Sequence, residues 1–258
     1  MTALARKRPV RRAGAAPRAG RVTLARALSK IGALSRSQAR AAVLAGRVSV
    51  GGLPAVDPDA WVDPSRLDVT LDGARLLPAP FVYLVMHKPP GVVTTRSDER
   101  GRKTVYDLLP GLPVRVFPVG RLDLDSSGLL LFTNDTRFGN LLTDPERRIP
   151  KRYIVETDRR LELRAIEQLR TPHVLPDGTR LRAAEVRPLG GTGTRFQVTI
   201  DEGKNRQIRR LFAAHGAGVV ALCRTAVGGL RIGGLREGHT RRLTPAEVAM
   251  LRAASAGR

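Results

Sequence analysis

From Val22 onward apolar residues recur at helical spacing. Leu24, Leu28 and Ile31 form one stripe, and Ser35 followed three residues later by Gln38 reads as a capping box for a second helix that ends at Gly46. Residues 47–50, the Gly51-Gly52 turn and a strand at 67–71 running into an Asp72-Gly73 turn complete a small αα-plus-hairpin unit over residues 21–77, closed by Pro78 and Pro80. Beyond it the period changes. Strand-like runs fall at 81–86, 129–133, 153–157, 196–200 and 219–222, with helical stripes at 161–170 and 207–215. Strands dominate, which predicts an α+β domain over residues 78–252 built on a mixed or antiparallel sheet.

Charge adds a partner to this outline. The 258-residue chain carries 45 Lys and Arg against 23 Asp and Glu, a formal net charge of +22, and such an excess suits a polyanion. Nucleic acid fits better than a membrane surface, because no stretch approaches 18 apolar residues and no basic helix has a strong aromatic face. Residues 1–20 hold Arg6, Lys7, Arg8, Arg11, Arg12 and Arg18 with no acid, so they read as a disordered basic arm; residues 253–258 read as a tail. Arg26, Lys30, Arg36, Arg40 and Arg47 lie on or beside the two predicted helices and make one face of the small unit basic, an expected RNA-binding surface.

Other chemistries are excluded by absence of their residues. The single cysteine, Cys223, cannot form an internal disulfide, and His87, His173, His215 and His239 are scattered, so no metal site is expected. There is no G-x-G-x-x-G and no Walker loop, hence no expected nucleotide cofactor. The basic N-terminus lacks the apolar run of a secretory signal, and the expected location is cytoplasmic.

Candidate chemistry concentrates at 119–135. The run Leu129 to Phe132 has no polar residue and reads as a strand crossing a core, which puts Gly128 at its entry and Arg121-Leu122-Asp123 on the loop before it. A carboxylate on such a loop, beside a guanidinium that favours its ionised form, suits a nucleophile or base. Asp123 is that candidate, although on chemistry alone a plain Arg121–Asp123 ion pair is the commoner use of two such residues. Asp125 with Ser126 and Ser127 reads as a turn, while a second carboxylate two residues from the first also raises hydrolysis of a glycosidic bond.

The stretch Gly120-Arg121-Leu122-Asp123 running into Ser126-x-Gly128-Leu129-Leu130-Leu131-x-Thr133-Asn134-Asp135 resembles the signature of the ribosomal RNA pseudouridine synthases of the RsuA/RluB type. His87-Lys88-Pro89-x-Gly91 with Thr94-Thr95, Pro150-Lys151-x-Tyr153, and Glu202-Gly203-Lys204-Asn205-Arg206-Gln207-Ile208-Arg209-Arg210 resemble three further motifs of that family, in family order. The unit at 21–77, with Ser35-Arg36 and Gly46-Arg47-Val48-x-Val50, is similar to the small RNA-binding domain named after a ribosomal small-subunit protein. Ser126 stands where the family usually has threonine, and Arg152 where it often has one.

The resemblance implies a mainly antiparallel catalytic sheet with a central cleft, and isomerisation of a uridine in ribosomal RNA to pseudouridine without metal or cofactor. It maps the essential aspartate onto Asp123, an aromatic that stacks on the flipped uracil onto Tyr153, and the basic partner of the aspartate onto Arg209. Arg121, Lys204, Asn205 and Arg206 join these as expected substrate contacts. On a helix from Asn205, Ile208, Leu211, Phe212 and His215 fall within about 100° of one another and leave Arg206, Arg209 and Arg210 on the other side. His215, just before the C-terminal Gly216, is expected to serve the helix end. The expected partner is ribosomal RNA or a pre-ribosomal particle. A non-catalytic RNA-binding assembly factor of the same fold is the alternative, and an N-glycosidase releasing free uracil a third.

Overall fold

In the computed structural model, which describes residues 20–32, 34–64 and 66–254, the chain forms two units. One runs to Phe81 and takes in Pro113–Arg115; the other comprises Val82–Leu112 and the chain from Val116 onward. Of the basic arm expected at 1–20 only Gly20 lies within the described residues. Of the tail at 253–258 only residues 253 and 254 do, and they extend the last helix instead of trailing from it.

In the first unit β1 (Val22–Thr23) leads into α1 (Leu24–Ile31), where the Arg26 N–H donates to the Thr23 hydroxyl at 3.4 Å. Helix α2 (Arg36–Leu44) opens with the reciprocal capping box: the Gln38 N–H donates to Ser35 Oγ at 3.2 Å and the Ser35 N–H to Gln38 Oε1 at 3.0 Å. Then follow β2 (Val48–Val50), β3 (Leu53–Pro54), β4 (Trp61–Val62), β5 (Val69–Leu71) and β6 (Ala74–Arg75). Strands β3-β2-β5-β6 form an antiparallel sheet, and β4 pairs with β1. Leu24, Leu28, Ala39, Val43, Val48 and Val69 close the core between helices and sheet. Of the five basic residues expected to face RNA, all are exposed. Arg40 is paired with Asp59 at 2.8 Å and Arg47 with Asp72 at 2.5 Å, so the basic face carries less free charge than its count of cations suggests.

The second unit contains β7 (Tyr83–Lys88), β8 (Phe117–Val119), β9 (Ser127–Thr133), α3 (Thr136–Thr143), β10 (Lys151–Thr157), α4 (Leu163–Gln168), β11 (His173–Val174), β12 (Arg180–Leu181), β13 (Glu185–Pro188), β14 (Arg195–Ile200), α5 (Gln207–Ala214), β15 (Val219–Val227), β16 (Leu230–Arg231), β17 (Thr240–Arg242) and α6 (Pro245–Ala254). Its main sheet has the order β13-β14-β10-β15-β9-β7-β17, with β8 on β9 and β16 on β15. The strand pairs are antiparallel except β9 with β15, which run parallel over Ser127↔Cys223 and Gly128↔Arg224.

Several strands outrun their apolar patterns, three of them through charged residues. β7 continues through His87 and Lys88, β10 starts at Lys151, and β15 continues to Val227 through Cys223, Arg224 and Thr225, because those polar side chains find partners or a cavity instead of ending the strand. Helix α4 is shorter than the expected 161–170, and its N-cap residue Glu162 makes no capping hydrogen bond. Helices α3 and α6 were not signalled by an apolar stripe. Asp135 caps the first and anchors the second: its Oδ1 accepts from the Arg137 and Phe138 N–H groups at the start of α3, while Oδ2 accepts from Tyr83 Oη at 3.0 Å and Arg252 Nη2 in the last turn of α6 at 2.9 Å.

Candidate active site

The loop between β8 and β9 is held from below. The Thr94 hydroxyl donates to Leu122 O at 2.8 Å, the Gly91 N–H to Leu124 O at 2.8 Å, and the Ser126 N–H closes a turn onto Asp123 O at 3.1 Å. Lys88, wholly buried at the end of β7, donates from Nζ to Ser126 O at 2.6 Å and Pro89 O at 2.9 Å, with Leu124 O at 3.5 Å. Burial pushes its ammonium down from 10.5 to about 8, against the opposing pull of Asp125 and Asp123. Gly128 adds a constraint of its own: it sits at φ +108°, and a Cβ there would lie 2.3 Å from Arg224 O. The backbones of β9 and β15 therefore meet as closely as a residue without a side chain allows.

This rigid loop forms one wall of a cavity of about 600 Å³. Arg121, Asp123, Tyr153, Lys204, Asn205 and Arg206 all reach it, over a floor that includes Leu131, Leu142, Ile200, Leu222 and Val227. Tyr153 projects from β10 and is buried, with 7% of its surface exposed. Lys204 is partly engaged elsewhere, paired with Glu202 at 2.8 Å and donating to Arg180 O at 2.7 Å. Two further cations line the cavity that the pattern of residues did not single out as contacts. Lys151 lies two residues before Tyr153 on the same strand, and Arg224 of β15 is the register partner of Tyr153.

The ion pairs differ from expectation in three respects. Arg209 does not partner Asp123: it lies outside the cavity lining, donating to Val219 O at 2.6 Å and Asp125 O at 3.0 Å and pairing with the Asp125 carboxylate at 3.3 Å. The guanidinium beside Asp123 is Arg206, at 3.6 Å, which also reaches Asp125 at 3.2 Å. The reason is where the helix starts. α5 begins at Gln207, and Arg206 caps it in a left-handed conformation at φ 46°, leaning over the loop while Arg209 sits a turn deeper. Arg121 forms no ion pair with Asp123 among the described residues, although both side chains line the cavity. Asp125 occupies the expected turn and does more than close it. Burial pushes its carboxyl up, but the Arg206 hydrogen bond and the charges of Arg209 and Arg206 outweigh burial and hold it below the ordinary value.

With this geometry in view, comparison with known proteins is decisive. The RNA pseudouridylate synthase family matches residues 82–214, and the ribosomal large subunit pseudouridine synthase B of Bacillus subtilis is 34% identical over 239 residues, covering 89% of this chain and 95% of that protein. The chain belongs to the RNA pseudouridylate synthase family. An uncharacterized RNA pseudouridine synthase of Mycobacterium bovis is 37% identical, over 89% of this chain and 92% of the relative. A solved structure described as a pseudouridylate synthase superposes with a TM-score of 0.65 at 26% identity, covering 89% of this chain and 99% of the other. The protein is thus an RNA pseudouridine synthase, with the α+β, mainly antiparallel fold that its motifs imply.

In this synthase the four separate motifs converge on one site. The first supplies Lys88, Gly91 and Thr94 beneath the loop; the second is the loop itself; the third and fourth bring Lys151, Tyr153, Lys204, Asn205 and Arg206 to the cavity. His215 closes α5 and packs edge-on against His173 at 5.1 Å, away from the cavity lining. The Ser126 hydroxyl, in the threonine position of the family pattern, is buried without a hydrogen-bond partner. Among the described residues no helix is long and apolar enough to cross a membrane, and no three His, Cys, Asp or Glu side chains are grouped as a metal site needs.

Proposed function

We propose that this synthase isomerises a uridine of ribosomal RNA in the cytoplasm, with Asp123 as the reacting carboxylate. The observation that carries the reading is the placement of Asp123: it is half-buried on a loop braced by Lys88, Gly91 and Thr94, and it lines the same cavity of about 600 Å³ as Tyr153, with room for a flipped nucleotide. The name of the Bacillus subtilis relative supports ribosomal RNA as the substrate class. Attack of the carboxylate on ribose C1′, or removal of the C2′ proton, breaks the C1′–N1 bond. The detached ring turns and C5 bonds to C1′ as the Asp123–C1′ ester bond breaks or, on the second route, as the proton returns to C2′; the C5 proton departs and N1 gains one. No net oxidation occurs.

In this reading Arg206 is the countercharge of Asp123, the Tyr153 ring stacks on the flipped base, and Arg121, Lys204 and Asn205 contact the backbone around it. Arg209 acts through Asp125 by fixing the turn. The first unit is an RNA-binding module, in which Arg26, Lys30, Arg36, Arg40 and Arg47 contact phosphates; Arg40 and Arg47 exchange their exposed carboxylate partners for phosphate oxygens. The test is a map of pseudouridines in ribosomal RNA from cells with the gene, without it, and with Asp123→Asn in its place. One modification absent from both the null and the Asp123→Asn strain is expected. Its presence in the Asp123→Asn strain overturns the assignment.

A further inference from the structure

Lys151 and Arg224 are two cations of the cavity lining with no carboxylate within ion-pair distance among the described residues. Arg224 is 5% exposed, and its Nε donates to Leu129 O at 2.8 Å; Lys151 donates to Ile149 O at 3.0 Å. Burial and the nearby Arg224 charge both depress the Lys151 ammonium below its ordinary value, with Asp201 the acid that opposes them. Asp201 is itself engaged by Arg182 at 3.2 Å. Placing two like charges together under apolar walls is unfavourable, so a fold that keeps them there leaves a region of uncompensated positive potential. That region flanks Tyr153, since Lys151 shares its strand face and Arg224 is its register partner.

We infer that Lys151 and Arg224 stabilise the negative charge that appears on the uracil ring when the C1′–N1 bond breaks. The inference rests on the reading that this cavity takes the target uridine. Whether Asp123 attacks C1′ or removes a C2′ proton, the bonding electron pair leaves with the ring. The charge then spreads over N1, O2 and O4 until C5 bonds to C1′, the C5 proton is lost and N1 is protonated. A backbone phosphate is the other anion two cations could bind. Arg224 is buried and Lys151 half-buried, in a lining they share with Leu131, Leu222 and Val227, whereas Arg121, Asn205 and Arg206 of the same lining are exposed and suit a solvated phosphate. Fixed cations in a site of low dielectric act most strongly on charge that develops during the reaction.

The test uses the full chain and in vitro transcripts of the organism's ribosomal RNA made with uridine or with 5-fluorouridine, whose electron-poor ring carries negative charge more easily. Single-turnover formation of C-linked nucleoside is followed by nuclease digestion and mass spectrometry at saturating enzyme; with fluorine at C5 the C-linked adduct is counted whatever its hydration state. Lys151→Met is expected to slow reaction on uridine by on the order of 10- to 100-fold. Its loss on 5-fluorouridine should be smaller, and Lys151→Arg should restore most of the uridine rate. Arg224→Gln should show the same base dependence where its melting temperature matches the wild type. Equal losses on the two bases overturn the inference, as does an unchanged saturated rate with weaker RNA binding and a shallower salt dependence, which marks phosphate contacts. Asp123→Asn run in parallel separates the two readings. If it turns over, the uridine site itself is misplaced; if it is inactive while Lys151→Met matches wild type, only the charge-stabilising role fails.

Discussion

Replacing Lys88 with methionine sets two effects of similar size against each other. The folded pKa of about 8 against 10.5 for an ordinary lysine is a difference of about 2.5, and at 1.36 kcal/mol per unit it amounts to a burial cost of about 3 kcal/mol at neutral pH. Methionine fills a similar volume and removes that cost. It also strips donors from Ser126 O and Pro89 O, which Lys88 holds at 2.6 and 2.9 Å, and each carbonyl left unsatisfied costs ~1–3 kcal/mol. Net stability at pH 7 should therefore change by less than about 3 kcal/mol, a melting shift within ~10 °C. The loop that carries Asp123 nevertheless loses its brace, and with Asp123 as the reacting group a displacement of ~1 Å is expected to lower the single-turnover rate ~100-fold.

The pH dependence gives a second arm. Between pH 8 and 10.5 the unfolded chain keeps the Lys88 proton that the folded chain has released, so the unfolded state binds more protons and wild-type stability rises with pH. Denaturant titrations at intervals from pH 7 to 10.5 should show wild type gaining ~3 kcal/mol relative to Lys88→Met across that window. A stability difference that stays flat over the window would refute the buried charge. An undiminished turnover rate in a folded variant would refute the bracing of the loop.

Asp125→Asn should lower the single-turnover rate about 10-fold, because Arg206 and Arg209 lose the carboxylate that seats them; its stability should fall by less than ~2 kcal/mol, since the pairs are partly exposed, and a fully active variant would return Asp125 to a purely turn-forming role. Tyr153→Phe should retain uridine binding while Tyr153→Ala loses ~1–3 kcal/mol of stacking in RNA affinity or reactivity; equal inactivity of the two variants at saturation would transfer the role from ring to hydroxyl. Gly128→Ala should cost at least ~3 kcal/mol and lower the melting temperature by more than ~6 °C, because the new methyl meets the Arg224 backbone at a left-handed φ; an unshifted melting curve would show that β9 and β15 can part without penalty.

Much of this was readable in the chain because local rules and tertiary needs agree there. Ser35 and Gln38 cap α2 as their spacing demands, and Leu129 to Phe132 are buried as an unbroken apolar run must be. Apolar periodicity failed where polar side chains belong inside. The expected strands stop at Met86 and Leu222, before His87-Lys88 and Cys223-Arg224, although Lys88 and Arg224 are both buried. Helix α6 announces itself by its cap and not by an apolar stripe: Thr244 and Glu247 form a reciprocal cap at its start, with the Glu247 N–H donating to Thr244 Oγ1 at 3.2 Å and the Thr244 N–H to Glu247 Oε2 at 2.9 Å. The exchange of Arg206 for Arg209 has a different origin. Both share one basic motif, and only the start of α5 and the position of the loop from residues some eighty places earlier decide which guanidinium meets Asp123.

The parallel contact between β9 and β15 is short, yet everything on one side of it was made early in the chain and almost everything on the other side late. Asp123 and its braces precede the contact; Tyr153, Arg206 and Arg224 follow it, and β17 then returns to pair with β7. Sheets closed by such distant partners form slowly and only after the last strand is available. Tyr153, Arg206 and Arg224 join Asp123 only once β15 has been made, so a chain that stops short of Arg224 is expected to have no complete site. The same seam makes the catalytic unit a natural two-piece machine. Cut in the segment between α3 and β10, each fragment carries part of the cavity lining, and activity is expected only when both are present to pair along Ser127 and Gly128.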